Sequence, residues 1–126
     1  MDNILVPVSP GELIDKMTIL RIKSERITDP AKLLNVRHEL EVLGAVARDL
    51  PPTPIQSEEL YQINLTLWQI EDDIRACEAR QDFGPEFIRL ARAVYQTNDR
   101  RAEVKKLINL LLGSQIVEEK SYYGSP

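Results

Sequence analysis

A chain of 126 residues, 43% hydrophobic and 29% charged, suits one folded domain, which at this length buries roughly two-thirds of the surface its unfolded form exposes. Its 16 basic and 20 acidic side chains are intermixed and sum to −4 with the histidine neutral, so no general attraction to nucleic-acid phosphates or anionic lipid is expected. The one cysteine, Cys77, excludes an internal disulfide and a multi-cysteine zinc site and points to a reducing compartment.

Residues 1–9 read as an arm. "NILVPV" is apolar and β-branched, but Pro7 lacks a donor and so short a run makes no sheet, so an extended segment packed on the remainder is expected. Residues 1–10 carry neither the cationic start nor the apolar core of a secretory signal. No window approaches the ~20 apolar residues of a bilayer span, so the expected location is the cytoplasm, with no membrane partner.

Ser9, Pro10 and Glu12 have the form of a capping box with proline at the first helical position. The serine oxygen can accept from the Glu12 amide, the glutamate can reach back, and a helix is predicted over 10–27. Leu13, Met17, Leu20 and Ile27 form one stripe that Ile14, Ile19 and Ile22 widen, so this helix should be largely buried. Asp29-Pro30 caps a second helix over 30–49, carrying Leu33, Val36, Leu40, Leu43, Ala47 and Leu50 until "LPPTP" stops it.

A third helix, predicted over 57–80 from a start near Ser57, carries Leu60, Ile63, Leu67, Ile70, Ile74 and Cys77 in a heptad-like seam. "QDFGPEF" forms the next turn. The fourth helix, over 85–112, ends at Gly113, a natural left-handed cap, with an interruption at Thr97 or Asn98 left open. The tail, 114–126, shows no period; its Tyr122 and Tyr123 either dock or fray.

These elements imply an all-α fold, an antiparallel up-down four-helix bundle with an extended arm and a short tail. The apolar faces of the first and third helices exceed what one core hides, so a homodimer is expected.

Polar side chains also repeat. Tyr61, Asn64, Trp68, Glu71 or Asp72, Arg75 and Glu78 flank the seam, and Arg92, Tyr95, Asn98, Asp99, Lys105 and Asn109 form a matching stripe on the fourth helix. Folding the two helices about residue 82 places Trp68 near Tyr95, Glu71 near Arg92, and Asn64 near Asn98 and Asp99. Two readings fit this belt. One is a satisfied polar layer in which Glu71 pairs with Arg92. The other is a pocket for a small anionic ligand, held by Arg92 and Lys105 and stacked on Trp68 and Tyr95.

Carboxylates raise a metal alternative, in which Glu12 and Asp15 on one face oppose Glu71 and Asp72 across a magnesium ion. Against it stand the capping role of Glu12 and the ordinary abundance of acids in first turns. Arg21, Arg26, Arg75, Arg89 and Arg92 have no spacing that would suit a pericyclic mutase. His38, the one histidine, has no serine or cysteine at motif distance. Glycine-rich phosphate loops are absent. The basic stretch "DRRAEVKK", with Arg100, Arg101, Lys105 and Lys106, reads as a solvated face, and no nucleic-acid partner is expected.

"PVSPGELIDKMTIL", "NVRHELE", "LWQIEDDIR", "FIRLARAVYQTNDRRAEVKKLIN" and "GSQIVEEKSYY" together make nearly the whole chain similar to a family of small uncharacterised bacterial proteins. The run from Asn64 to Arg75 followed by "ND-x-R" at Asn98–Arg101 also resembles a second helical family of unknown function, associated with cell-envelope polysaccharide gene clusters. Neither resemblance implies an activity. The expected function is a cytosolic, non-catalytic binding or interaction module. The alternative is a small magnesium-dependent enzyme acting on a nucleotide or phosphorylated metabolite.

Overall fold

Each helix of this chain starts on a proline. The ring fixes φ near the helical value, and its missing N–H is one that the first turn does not use. In the computed structural model, which describes residues 1–124, α1 spans Pro10–Arg26, α2 Pro30–Ala47, α3 Pro54–Ala79 and α4 Pro85–Leu111. No strand occurs among the described residues, and the fold is an all-α four-helix bundle.

Local signals account for most helix ends. Ser9 Oγ accepts from the Glu12 amide at 3.2 Å, and Asp29 Oδ2 accepts from the Lys32 amide at 2.9 Å. The reciprocal half of the first capping box does not form, because the Glu12 carboxylate turns to Lys105 Nζ, 2.7 Å away. α3 begins at Pro54 rather than near Ser57: Pro54 takes the first helical position, and Ser57 sits one turn in, its hydroxyl 3.3 Å from Thr53 Oγ1. α4 runs unbroken through Asn98, whose Oδ1 accepts from Arg101 Nη1 at 3.4 Å instead of capping a new segment.

Both long helices end in a left-handed residue with a six-residue closing bond. At α4 this is Gly113, φ +65°, with the Ser114 amide donating to the Asn109 carbonyl at 2.8 Å. At α3 it is Gln81, φ +55°, with the Asp82 amide donating to the Cys77 carbonyl at 2.9 Å.

The seam on α3 packs against α4 as its period predicts. Leu60, Ile63, Val104 and Ile108 form one core cluster, and Ile70, Cys77 and Leu90 form another nearer the α3–α4 turn. α1 lies across this hairpin. Gly11 and Glu12 meet Asn109 and Lys105 of α4, and further along, Glu25 Oε1 accepts from the Tyr61 hydroxyl of α3 at 2.6 Å. That carboxylate holds the Tyr61 phenol pKa above its ordinary value, while the Arg21 guanidinium stacks 3.7 Å over the ring.

α2 approaches only α1 and makes no backbone approach to α3 or α4. Of its residues Val36 alone is buried, while Leu34, Val42 and Val46 face outward. The arm also departs from expectation. It is extended but not packed: Ile4, Leu5 and Val6 are 78%, 90% and 66% exposed. Pro7 and Pro10 restrict the backbone to extended conformations, and the first turn of α1 is already covered by α4.

Candidate functional site

Asp15 stands at a core position of α1, with buried Gly11 one turn before it and buried Thr18 and Ile22 after it. Its carboxylate is only 1% exposed, and a charge so deep needs partners. Arg101 of α4 supplies two parallel bonds, Nε to Oδ1 at 2.9 Å and Nη2 to Oδ2 at 2.5 Å, the geometry in which guanidinium and carboxylate match best. Asn64 of α3 donates Nδ2 to the same Oδ1 at 2.9 Å and to Thr18 Oγ1 at 2.9 Å. Thr18 in turn donates to the Asp15 carbonyl at 2.7 Å. Three helices are thereby fastened to one carboxylate. The bond to Asp15 raises the Arg101 pKa above its ordinary value, outweighing half-burial, which acts the other way.

A second ion pair closes the neighbouring turn. Lys105 Nζ donates to Glu12 at 2.7 Å and to Glu118 of the tail at 3.2 Å. Burial opposes its charge, yet the bond to Glu12 and the fields of Asp15 and Glu12 prevail and its pKa rises. Here α1 and α4 touch through Gly11, whose amide donates to Asn109 Oδ1 at 2.7 Å. A Cβ on Gly11 would strike the Lys105 carbonyl oxygen and lie 2.9 Å from Asn109 Oδ1, so this close approach requires glycine.

Beside the Asp15 network lies a cleft of about 460 Å³. α1 contributes Ile19 and Ile22; α3 contributes Asn64, Leu67, Trp68, Glu71, Asp72 and Arg75; α4 contributes Val94, Asn98 and Arg101. Ile19, Ile22, Leu67 and Val94 make up its apolar lining, and Trp68 and the Arg101 held by Asp15 line it beside them. Of the stripes expected from spacing, Asn64, Trp68, Glu71, Asp72, Arg75 and Asn98 are brought together here.

The other belt residues go elsewhere. Tyr95 and Asp99 line a separate groove of about 900 Å³ between α4 and the tail, and Arg92 is exposed and lines neither. Lys105 is engaged by Glu12 and Glu118, and Glu71 pairs with Arg75 at 3.3 Å rather than with Arg92. Helical rotation explains the split. At about 100° per residue, Tyr95 and Arg92 lie roughly 60° and 120° around α4 from Asn98, away from α3, whereas Arg101 lies roughly 60° the other way. Counting equal lengths along the hairpin arms ignored that rotation.

The four carboxylates of the metal alternative do not converge. Glu12 ends on Lys105, Asp15 on Arg101 and Asn64, and Glu71 on Arg75, while Asp72 stands in the cleft wall. Among the described residues no three metal-ligating side chains come together.

One sequence pattern covers residues 4–126 of the chain. The chain belongs to DUF6165, a family of unknown function. No curated protein and no solved structure matches it. No described helix of this DUF6165 chain is long and apolar enough to cross a membrane.

Spacing alone missed Arg101. Within "DRRAEVKK" it resembles a solvated charge, yet Arg101, Lys105 and Lys106 all meet carboxylates. The available signal was on α1: an aspartate sharing a face with Gly11, Thr18 and Ile22 is buried, and a buried carboxylate calls for a guanidinium. The tail, aperiodic in sequence, docks on α4 through Lys105–Glu118 and Lys106–Glu119 at 3.2 and 3.5 Å.

Proposed function

We propose that this chain is a non-catalytic binding module whose ligand is a small polar ring seated in the α1–α3–α4 cleft, against Trp68 and over Arg101. The observation that carries this reading is the posture of Arg101. Asp15 engages its Nε and Nη2, so the guanidinium of this cleft-lining side chain is fixed in place, and its Nη1 reaches Asn98 Oδ1 only at 3.4 Å. A donor held in place before binding loses little rotamer freedom on contact.

The charge in the cleft favours an uncharged ligand over the anion expected from sequence. That expectation relied on Arg92 and Lys105, and neither lines the cleft. The cations that do, Arg75 and Arg101, are matched by Glu71 and Asp15, and Asp72 adds a further negative charge. Cytoplasmic residence, supported by the buried free thiol of Cys77, belongs to the same proposal. So does self-association, supported by the outward Leu34, Val42 and Val46 of α2 and by the bare arm; sedimentation at rising concentration tests it.

Trp68 is the chain's one tryptophan, so its fluorescence reports on the cleft directly. A chemically mixed fragment screen should yield compounds that both shift that emission and raise the melting temperature; at a hundredfold excess over Kd the native state gains about 2.7 kcal/mol. Stabilising compounds that leave Trp68 silent would refute the cleft. A magnesium-dependent rise in melting temperature, abolished by Asp72→Ala, would favour the enzyme reading instead.

A further inference from the structure

Asn64 holds an unused acceptor. The residue is 5% exposed, and chemistry decides which way its amide points. The Asp15 carboxylate can only accept. Thr18 Oγ1 has already given its proton to the Asp15 carbonyl, so it too must accept from Asn64. Nδ2 meets both demands, which turns Oδ1 away from them. Among the described residues Oδ1 receives no hydrogen bond, yet no fully buried side-chain polar atom there lacks a partner, so Oδ1 keeps some access to solvent, and the cleft is the space that Asn64 lines.

Arg101 is its immediate neighbour. Asn64 Nδ2 and Arg101 Nε converge on the one atom Asp15 Oδ1, each at 2.9 Å, so the two side chains stand shoulder to shoulder. An acceptor without a partner and a fixed guanidinium are therefore held to one carboxylate oxygen, and both side chains line the cleft together with Trp68.

Resting on the cleft being the ligand site, the geometry points to an uncharged ring that carries a hydrogen-bond donor next to an acceptor on one edge, the donor meeting Asn64 Oδ1 and the acceptor meeting Arg101 Nη1. A carboxylate or phosphate would set its lone pairs against Asn64 Oδ1 and find the Arg101 charge already matched by Asp15. The amide edge of a nucleobase and the adjacent hydroxyls of a sugar both offer the required pair, and both have a face for Trp68.

The unmodified chain tests this with four probes followed by Trp68 emission and melting temperature: uracil, 1,3-dimethyluracil, methyl glucoside and benzoate. We expect uracil or the glucoside to bind saturably, the first assigning a nucleobase edge and the second a sugar. Dimethyluracil, with the same face and no N–H donor, should bind at least about tenfold more weakly than the better neutral probe, since it leaves the Asn64 acceptor unpaired. Benzoate should not compete with either. Dimethyluracil binding as well as that probe, or benzoate binding as tightly, overturns the edge assignment and leaves the cleft a binding site. Silence from every probe also overturns it, and the mixed fragment screen then decides separately whether the cleft binds anything.

Discussion

Removing either partner of the Asp15–Arg101 pair should reveal how strongly the three helices depend on it. Asp15→Ala takes away the acceptor of two guanidinium bonds and one amide bond, and strands a half-buried cation. Breaking a buried pair from one side costs about 3–5 kcal/mol. Arg101, with 28% of its side chain exposed, can regain some water, so we expect the lower end, about 3 kcal/mol. Over a domain of this size that is a fall of roughly 10 °C in melting temperature. Arg101→Met should cost more, because the carboxylate it abandons is 1% exposed and keeps only Asn64. With Asp15→Ala and Arg101→Met combined, no stranded charge is left, so the double variant should be less destabilised than the sum of the singles by about 2 kcal/mol. Urea unfolding followed by circular dichroism measures all of these. Singles below about 1 kcal/mol, or a double variant additive within about 0.5 kcal/mol, would refute the account of one carboxylate holding three helices.

Gly11→Ala should destabilise by about 1–3 kcal/mol, since the new methyl meets the Lys105 backbone carbonyl, which cannot swing aside as a side chain would; thermal unfolding checks it. Gln81→Gly should stabilise by about 0.5–1 kcal/mol, because φ +55° costs glycine nothing. Lys105 and Tyr61 both hold their protons more tightly in the folded chain than at their ordinary values of 10.5 and 10.0. Raised values mean that their contribution is whole below those pH values and is lost as pH climbs through the folded ones. Melting temperature should therefore stay level from about pH 7 to 9 and fall above about pH 10, with a shallower fall in Lys105→Met.

The fold was legible because its punctuation is chemical and local. Proline at the starts of α1, α2 and α4, oxygen caps at Ser9 and Asp29, and glycine at 113 each have one sensible reading, and the α3 seam could pack only on a facing helix; among the three prolines of "LPPTP", by contrast, nothing in the sequence marks Pro54 as the first helical residue. The cleft was legible in part. Spacing on α3 gave Asn64 and Trp68, and hairpin closure gave Asn98 opposite them. What spacing cannot give is the rotation of one helix against another, and so Tyr95, Arg92 and Asp99 were drawn into a belt that α4 turns away from α3. Nor could it show that α1 crosses the hairpin, which brings Asp15 to Arg101 across 86 residues of sequence. The arm is exposed where packing is expected, because apolar composition says that a segment prefers cover, not where its backbone can reach.

α2 is moored on a single neighbour. Detaching it would uncover Val36 and the half-buried row beside it, while the carboxylate junction and the cleft contain no residue of α2. Deuterium uptake at its amides should accordingly outpace that of the other three helices, as an independent opening unit. The molecule then divides into a trio of helices joined at one carboxylate and an outrigger, and a change confined to the outrigger should leave the trio's own junction intact.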